Sequence, residues 1–248
     1  MSVTIIGIDC AVDERNVGVA IGDYADGICS VVRLLDHDKS GSVCTFVTDH
    51  VRRSQRTLLA LDAPLGWPSE LGEALVRHVA RAGIGIRSEL LFRRATDRFV
   101  KERFGKQPLD VGADRIARTA LAALGLLEEI RHATGLEIPI AWTPAYSGKA
   151  AAIEVYPAGS LISHGLPSSG YKKPEQVAIR QQILRGLEDV VRLDTDLASA
   201  KANPDTLDAI VCVLAGRDFL AGKALSPNNA VGGAKKEGWI WIKKLEEA

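Results

Sequence analysis

The sequence contains little cysteine, and its cysteines are not spaced as in a known metal-binding or disulfide motif. Four cysteines occur in 248 residues, without a CxxC pair or a zinc-ligand spacing, which argues against a disulfide framework or a zinc module. They are Cys10, Cys29, Cys44 and Cys212. Scattered cysteines of this kind are typical of free buried thiols in a reducing compartment.

Long apolar runs and targeting signals are also missing. No apolar stretch approaches the roughly 20 residues that span a bilayer. The N-terminus runs directly into a short strand pattern, where a signal peptide would have a longer apolar region. We therefore expect a soluble, cytoplasmic protein that does not bind a membrane. The sequence does not indicate its oligomeric state.

An excess of charge of either sign is absent as well. Lysine plus arginine and aspartate plus glutamate number 31 each, so the formal net charge is zero. This balance argues against a surface built for non-specific nucleic-acid binding, although it leaves room for a local basic groove. The Walker, G-x-S-x-G and H-x-x-x-H patterns do not occur either.

The N-terminal part of the chain predicts sheet. Residues 3–9, 17–21 and 28–32 are β-rich and joined by short polar turns, a pattern typical of an antiparallel meander. A first helix is expected at 42–56. The apolar run 57–62 then has the length of a buried strand, and the proline-containing segment after it ends that strand.

From residue 69 to about 133 the apolar spacing becomes helical. One i+4 series predicts a helix over 71–79, and a second predicts a long helix further on. The first series is Leu71, Leu75 and Val79, and the second is Ile116, Ala120, Ala123, Leu127 and Ile130. We interpret the segment 69–150 as a helical insertion.

The remaining sequence alternates again. The pattern predicts a strand at 151–157, a helix at about 174–188, and a short strand or packing clamp at 239–242. The last long helix is expected to begin at Asn203-Pro204, a favoured cap and first residue, and to reach about Ala221. The glycine loop 231–234 lacks the strand–helix context of a phosphate cradle and is expected to be a turn.

This order of elements predicts one α/β domain over residues 1–248. Three antiparallel strands, a helix, a strand, the insertion, another strand and further helices favour a mixed sheet, in which parallel strands follow the antiparallel ones and helices flank both faces. No linker divides the chain.

Two aspartates end apolar strands of this predicted sheet. Asp9 and Asp62 each stand at the carboxyl end of a strand, where open α/β sheets place their ligand sites. Each could instead begin a turn, since aspartate favours turns. Their common position favours a shared site.

Asp205 and Asp208 lie three residues apart in the last helix and so share one face. Asp205 could simply stabilise the helix dipole from the first turn. Asp208 heads an apolar stripe with Val211, Cys212 and Ala215, where an unpaired carboxylate is costly. A cation is the expected partner.

Four converging carboxylates repel one another unless a cation lies between them. Oxygen ligands favour Mg²⁺ or Mn²⁺ over zinc, and two such ions about 4 Å apart activate water in phosphodiester hydrolysis. We therefore expect Asp9, Asp62, Asp205 and Asp208 to be metal ligands and catalytic residues.

The layout resembles the RNase H-like superfamily, and its D-x-x-D helix pair resembles the RuvC-type resolvases in particular. Five short motifs together resemble a family of unknown function predicted to be RNase H-like nucleases. They are residues 7–11 (GIDCA), 62–68 (DAPLGWP), 92–97 (FRRATD), 154–157 (EVYP) and 205–209 (DTLDA). The resemblance implies an RNase H-like fold and a metal-dependent nuclease, and it specifies no substrate. From the four aspartates we expect a phosphodiesterase that acts on a nucleic acid or a nucleotide.

Residues beside this centre are candidate substrate contacts. The RNase H-like strand order that the resemblance implies places Glu154 two strands from Asp9, about 10 Å away. We therefore expect it to lie outside the metal ligands, with either a substrate or a structural role. The locally basic insertion supplies candidate phosphate contacts, with a solvated helical face as the alternative. These candidates are Arg93, Arg94, Arg98 and Arg115.

Two other functional classes compete with the nuclease hypothesis. An actin-like ATPase or kinase also begins with an acid-ended strand and a hairpin, but it has two lobes and this chain shows one such hairpin. A non-catalytic binding module that kept the fold is favoured by the neutral charge.

Overall fold

The computed structural model describes residues 2–38, 40–112, 114–227 and 233–245. These ranges contain six strands: β1 (Val3–Asp9), β2 (Gly18–Ala25), β3 (Ile28–Leu34), β4 (Thr57–Asp62), β5 (Ala150–Glu154) and β6 (Arg192–Leu193). They form one sheet with the order β5-β4-β1-β2-β3-β6. The β1–β2 and β2–β3 pairs are antiparallel and the other pairs are parallel. The predicted mixed α/β sheet is confirmed.

Helices connect and cover these strands. They are α1 (Val43–Arg53), α2 (Ser69–Val76), α3 (Ser88–Phe92), α4 (Ala95–Phe104), α5 (Asp114–Thr134), α6 (Pro157–Ser163), α7 (Val177–Leu187), α8 (Ala198–Ala202), α9 (Pro204–Leu220) and α10 (Ala234–Glu237). None of the helices in the described ranges is both long and apolar enough to cross a membrane.

Both faces of the sheet are buried, which explains the uninterrupted apolar runs of β1 and β4. Successive side chains of a strand point to opposite faces. Ile5 therefore packs in the core that contains Ile210 of α9, while Ile6 packs in the opposite core with Phe46 of α1 and Leu127 of α5. The sheet is thus the middle layer between α9 on one side and α1 with α5 on the other.

Helix α9 begins where the sequence predicts. The side chain of Asn203 accepts a hydrogen bond from the backbone N–H of Asp205 at 2.8 Å, and Pro204 is the first helical residue. The helix then lies directly on β1 and β2, because Gly7 and Gly18 leave room for its backbone. A Cβ on Gly7 would meet the carbonyl oxygen of Ala209 at 2.1 Å.

The segment 69–150 contains α2 to α5, and the two helical predictions within it have different outcomes. Ala120, Ala123, Leu127 and Ile130 are buried on α5, as predicted. The series Leu71, Leu75 and Val79 was wrong as a helix stripe, because α2 ends at Val76 and Leu75 and Val79 are 50% and 69% exposed. Three apolar residues cannot distinguish a packed face from a two-turn surface helix.

Several element ends also differ from the prediction. Helix α1 spans Val43–Arg53, with Ser42 as its cap, and ends earlier than expected because β4 needs extended backbone from Thr57. Strand β5 ends at Glu154 because Pro157 already begins α6. Strand β6 was not predicted from the sequence, because a strand of two residues shows no recognisable alternation of apolar and polar residues.

The C-terminal segment lies against the edge of the sheet at β5. Ile240 forms a parallel bridge with Glu154, and Trp239 is 1% exposed. The segment 239–242 therefore pairs with the sheet and also packs into the core. It combines the two alternatives predicted for it, a short strand and a packing clamp. Residues 231 and 232 of the predicted glycine loop lie outside the described residues.

Candidate metal centre

Asp9 and Asp62 meet because two parallel strands end side by side. Strands β1 and β4 are neighbours, and Asp9 is the register partner of Asp62. Both residues are the last of their strands. The sheet itself therefore places two carboxylates next to each other at its carboxyl edge.

Helix α9 supplies the third carboxylate. Asp208 lies one turn after the helix start and is fully buried. One carboxylate oxygen from each of Asp9, Asp62 and Asp208 lies within 4.8 Å of the others. Oxygen ligands that surround Mg²⁺ at about 2.1 Å lie roughly 3–4 Å apart, so a small inward shift of these side chains would complete a cation site. Asp9, Asp62 and Asp208 are called the acidic triad below.

The triad is electrostatically unfavourable without a cation. Burial raises the pKa of Asp9 well above its ordinary value, and the charges of Asp208 and Asp62 raise it further. Burial likewise raises the pKa of Asp62 to about 7 and the pKa of Asp208 above its ordinary value. A cation favours the ionised forms, so metal binding at this site must release protons.

Asp205 lies outside the acidic triad. It is partly exposed in the first turn of α9, where its N–H is capped by Asn203. Among the carboxylates that the structure describes, those within ligand distance of one another are Asp9, Asp62 and Asp208. Asp205 instead lines the cavity above them. The structure thus brings together three of the four predicted ligands and places the fourth at the rim.

Two residues that the sequence did not single out contact the triad. The hydroxyl of Tyr171 donates a hydrogen bond to Oδ1 of Asp208 at 2.8 Å. The ammonium of Lys172 forms an ion pair with Oδ2 of the same carboxylate at 2.6 Å. Their only signal in the sequence is a basic pair beside a tyrosine, which is common at protein surfaces.

Glu154 belongs to a buried ion-pair network beside the triad. Its strand lies two positions from β1, as expected. Both of its carboxylate oxygens accept hydrogen bonds from Arg94, at 2.6 and 2.7 Å, and Oε2 also accepts from the N–H of Leu65 at 3.0 Å. Glu154 therefore holds the loop that follows Asp62, while the pairing with Arg94 compensates its buried charge.

The four candidate arginines have different surroundings. Arg94 is 1% exposed and bonded to Asp97 as well as Glu154. Arg93 pairs with Asp110 at 2.8 Å at the surface, and Arg98 donates to the carbonyl oxygen of Arg93. Arg94 and Arg115 line the cavity above the triad. Arg115 is thus placed to meet a ligand there without breaking a buried ion pair.

The cavity has an acidic floor and a partly basic wall. Its volume is about 810 Å³. The floor includes Asp9 and Asp62, and the wall includes Arg115 and Arg118 of α5. Leu109 and Val12 also line it and are more than half exposed. The lining also includes Asp13, Asp97, Asp114, Glu154 and Asp205, so carboxylates outnumber cations around the cavity.

A mixed α/β sheet with an acidic triad at the carboxyl ends of β1 and β4 defines a protein with a candidate metal centre. The chain belongs to the family described as protein of unknown function (DUF429), which matches residues 7–231. No curated protein and no solved structure matches the chain. All three triad residues lie within the matched range.

Proposed function

We propose that this protein is a divalent-metal-dependent phosphodiesterase that hydrolyses a nucleic acid or a nucleotide. The observation that carries the proposal is the acidic triad, in which three carboxylate oxygens lie within 4.8 Å of one another. Carboxylates buried this closely need a cation. Mg²⁺ and Mn²⁺ are the ions that all-oxygen sites favour.

The topology supports an RNase H-like assignment. The antiparallel strands β1 to β3, the parallel strands β4 and β5, and the helix α9 that carries Asp208 follow the order expected from the sequence resemblance. The acids stand at the ends of the first and fourth strands and on that helix. This combination supports a nuclease more specifically than the triad alone.

Each residue of the site has a defined chemical task in this proposal. A bound divalent ion supplies Lewis acidity and lowers the pKa of water. Asp9, Asp62 and Asp208 hold the ion, and Asp205 at the rim can orient water or a second ligand. Arg115, which also lines the cavity, can pair with a phosphate oxygen.

The cavity favours a small or single-stranded substrate. Its volume of about 810 Å³ falls in the range of sites for small ligands, about 300–1,000 Å³. Asp9 at its floor is only 8% exposed, so a reacting phosphate must enter the cavity to approach it. A nucleotide or the end of a single strand can do so more easily than an intact duplex.

Purified protein should be incubated with Mn²⁺ or Mg²⁺ and labelled single-stranded RNA and DNA, duplexes, hybrids, junctions and dinucleotides. We expect cleavage that needs the metal and is lost in Asp9→Asn. The exposed Asp189→Asn is the matched control and should remain active. Absence of cleavage across the panel, or equal cleavage by Asp9→Asn, contradicts the proposal.

A melting experiment with the same proteins separates a catalyst from a binding module. An ion that binds the native state raises its melting temperature. A rise in melting temperature with Mn²⁺ but no cleavage would favour a non-catalytic binding module. No rise in melting temperature would contradict the proposed metal site as well. Saturable ATP binding by calorimetry would favour the ATPase alternative.

A further inference from the structure

Asp208 is the triad residue whose carboxylate is already engaged on both oxygens. Oδ1 accepts a hydrogen bond from Tyr171 at 2.8 Å, and Oδ2 is 2.6 Å from the ammonium of Lys172. Asp208 is 0% exposed. A positive charge from the protein therefore lies directly against the carboxylate cluster.

The loop that carries Lys172 is held in place by a buried arginine. Arg180 of α7 is 0% exposed. Its Nη1 donates to the carbonyl oxygens of Tyr171 and Lys173 at 2.6 and 2.9 Å, and its Nη2 donates to that of Pro174 at 3.1 Å. The backbone on both sides of Lys172 is thus fixed at a point from which its ammonium group reaches Asp208.

Tyr171 also fixes this loop, because it attaches the loop to Asp208 of α9. Its side chain is 2% exposed, and its hydroxyl reaches Asp208. The neighbouring side chain of Lys172 is 56% exposed, so it could extend into solvent. It nevertheless turns inward, where the three carboxylates attract it.

Charge and space both limit what can join Lys172 at the site. The three carboxylates of the triad carry three negative charges when ionised, which one ammonium and one divalent ion neutralise. A second metal ion, bound to Oδ2 of Asp208, would lie about 2.1 Å from that oxygen. It would then be a near neighbour of the ammonium and would be repelled.

We infer that Lys172 is a resident cation of the acidic triad and takes the place of a second metal ion, so that the site binds a single divalent ion. The inference rests on the proposed function, because it concerns the same carboxylates. It goes beyond the sequence, which leaves the number of metal ions open. Lys172 acts in it as a positioning and charge-balancing residue.

Binding of Mn²⁺ to the full-length protein tests the inference independently of activity. The number of bound ions is counted by electron paramagnetic resonance of free Mn²⁺ and by equilibrium dialysis. We expect one ion per chain in the wild type, and two in Lys172→Met, with the spin-coupled signal of an ion pair. Lys172→Arg keeps the cation and should bind one.

The neighbouring Lys173→Met is the matched control, since that side chain is exposed, and it should bind one ion. Circular dichroism melting verifies that each variant is folded. Two ions in the wild type, or one ion in folded Lys172→Met, overturns the inference while leaving the proposed metal site intact. No ion in the wild type overturns the proposed function as well.

Discussion

The carbonyl oxygen of Ala209 lies 2.1 Å from the position that a Cβ on Gly7 would occupy. Helix α9 therefore rests on the backbone of β1 without an intervening side chain. Gly18 on β2 makes an equally close approach to the carbonyl oxygen of Asp205. This contact brings Asp208 to Asp9, so the closeness of helix and sheet is a condition of the acidic triad.

Gly7→Ala is expected to destabilise the protein by about 3 kcal/mol or more, since overpacking a site closed by backbone forces the helix away from the sheet. Urea denaturation measures the change. Gly125→Ala on α5 is the control, because nothing lies within 4 Å of its added Cβ. It should be neutral or more stable by about 0.5–1 kcal/mol. Equal stability of the two variants would contradict the close packing.

Arg94→Met and Arg93→Met separate a buried ion-pair network from a surface pair. Arg94 is 1% exposed between Asp97 and Glu154, and its loss leaves two buried carboxylates unpaired, at a cost of roughly 3–5 kcal/mol. Arg93 pairs with Asp110 at the surface, where the loss is about 1 kcal/mol or less. Urea denaturation compares them, and similar losses would argue against the network.

The metal-free protein should lose stability as the pH rises. Burial raises the pKa of Asp62 from 3.8 to about 7, and the pKa values of Asp9 and Asp208 are also raised. The folded state therefore holds protons that the unfolded state has released. This stabilisation is full below about pH 4 and is lost as the pH rises through about 7, by up to about 1.4 kcal/mol per pH unit for each proton.

The measurement is the melting temperature in EDTA between pH 5 and pH 8, where we expect a decrease. Saturating Mn²⁺ should remove most of the decrease at pH 8, because the ion binds the ionised carboxylates. A melting temperature that rises with pH in EDTA would contradict the raised pKa values.

Asp62→Asn should weaken metal binding and should stabilise the protein in the absence of metal. The amide removes one charge from the triad, so at pH 8 in EDTA the variant should be more stable than the wild type by on the order of 1–3 kcal/mol. Its melting temperature should no longer respond to Mn²⁺. Asp189→Asn, on an exposed turn, should resemble the wild type in both respects.

The sequence was sufficient for the features that depend on local pattern. Asp9 and Asp62 end apolar strands, and the side-by-side position of those ends follows from the topology. The start of α9 at Asn203 follows from cap chemistry. Strand order, and with it the distance of Glu154 from the triad, followed from the family resemblance.

The features that depend on contacts between distant segments could not be predicted in this way. Tyr171 and Lys172 reach Asp208 through a loop without regular pattern, which Arg180 fixes through carbonyl oxygens. Arg94 stands in a basic run that favours a phosphate contact, yet Glu154 and Asp97 bind it internally. Asp205 and Asp208 share a helix face, but only Asp208 joins the triad.

The most direct test of the metal centre is a crystal of the protein soaked in Mn²⁺, with anomalous diffraction recorded at the manganese absorption edge. We expect an anomalous peak bound by carboxylate oxygens of Asp9, Asp62 and Asp208, and no such peak in Asp9→Asn crystals. A well-ordered acidic triad without a peak at saturating Mn²⁺, or a peak bound by other residues alone, would contradict the assignment.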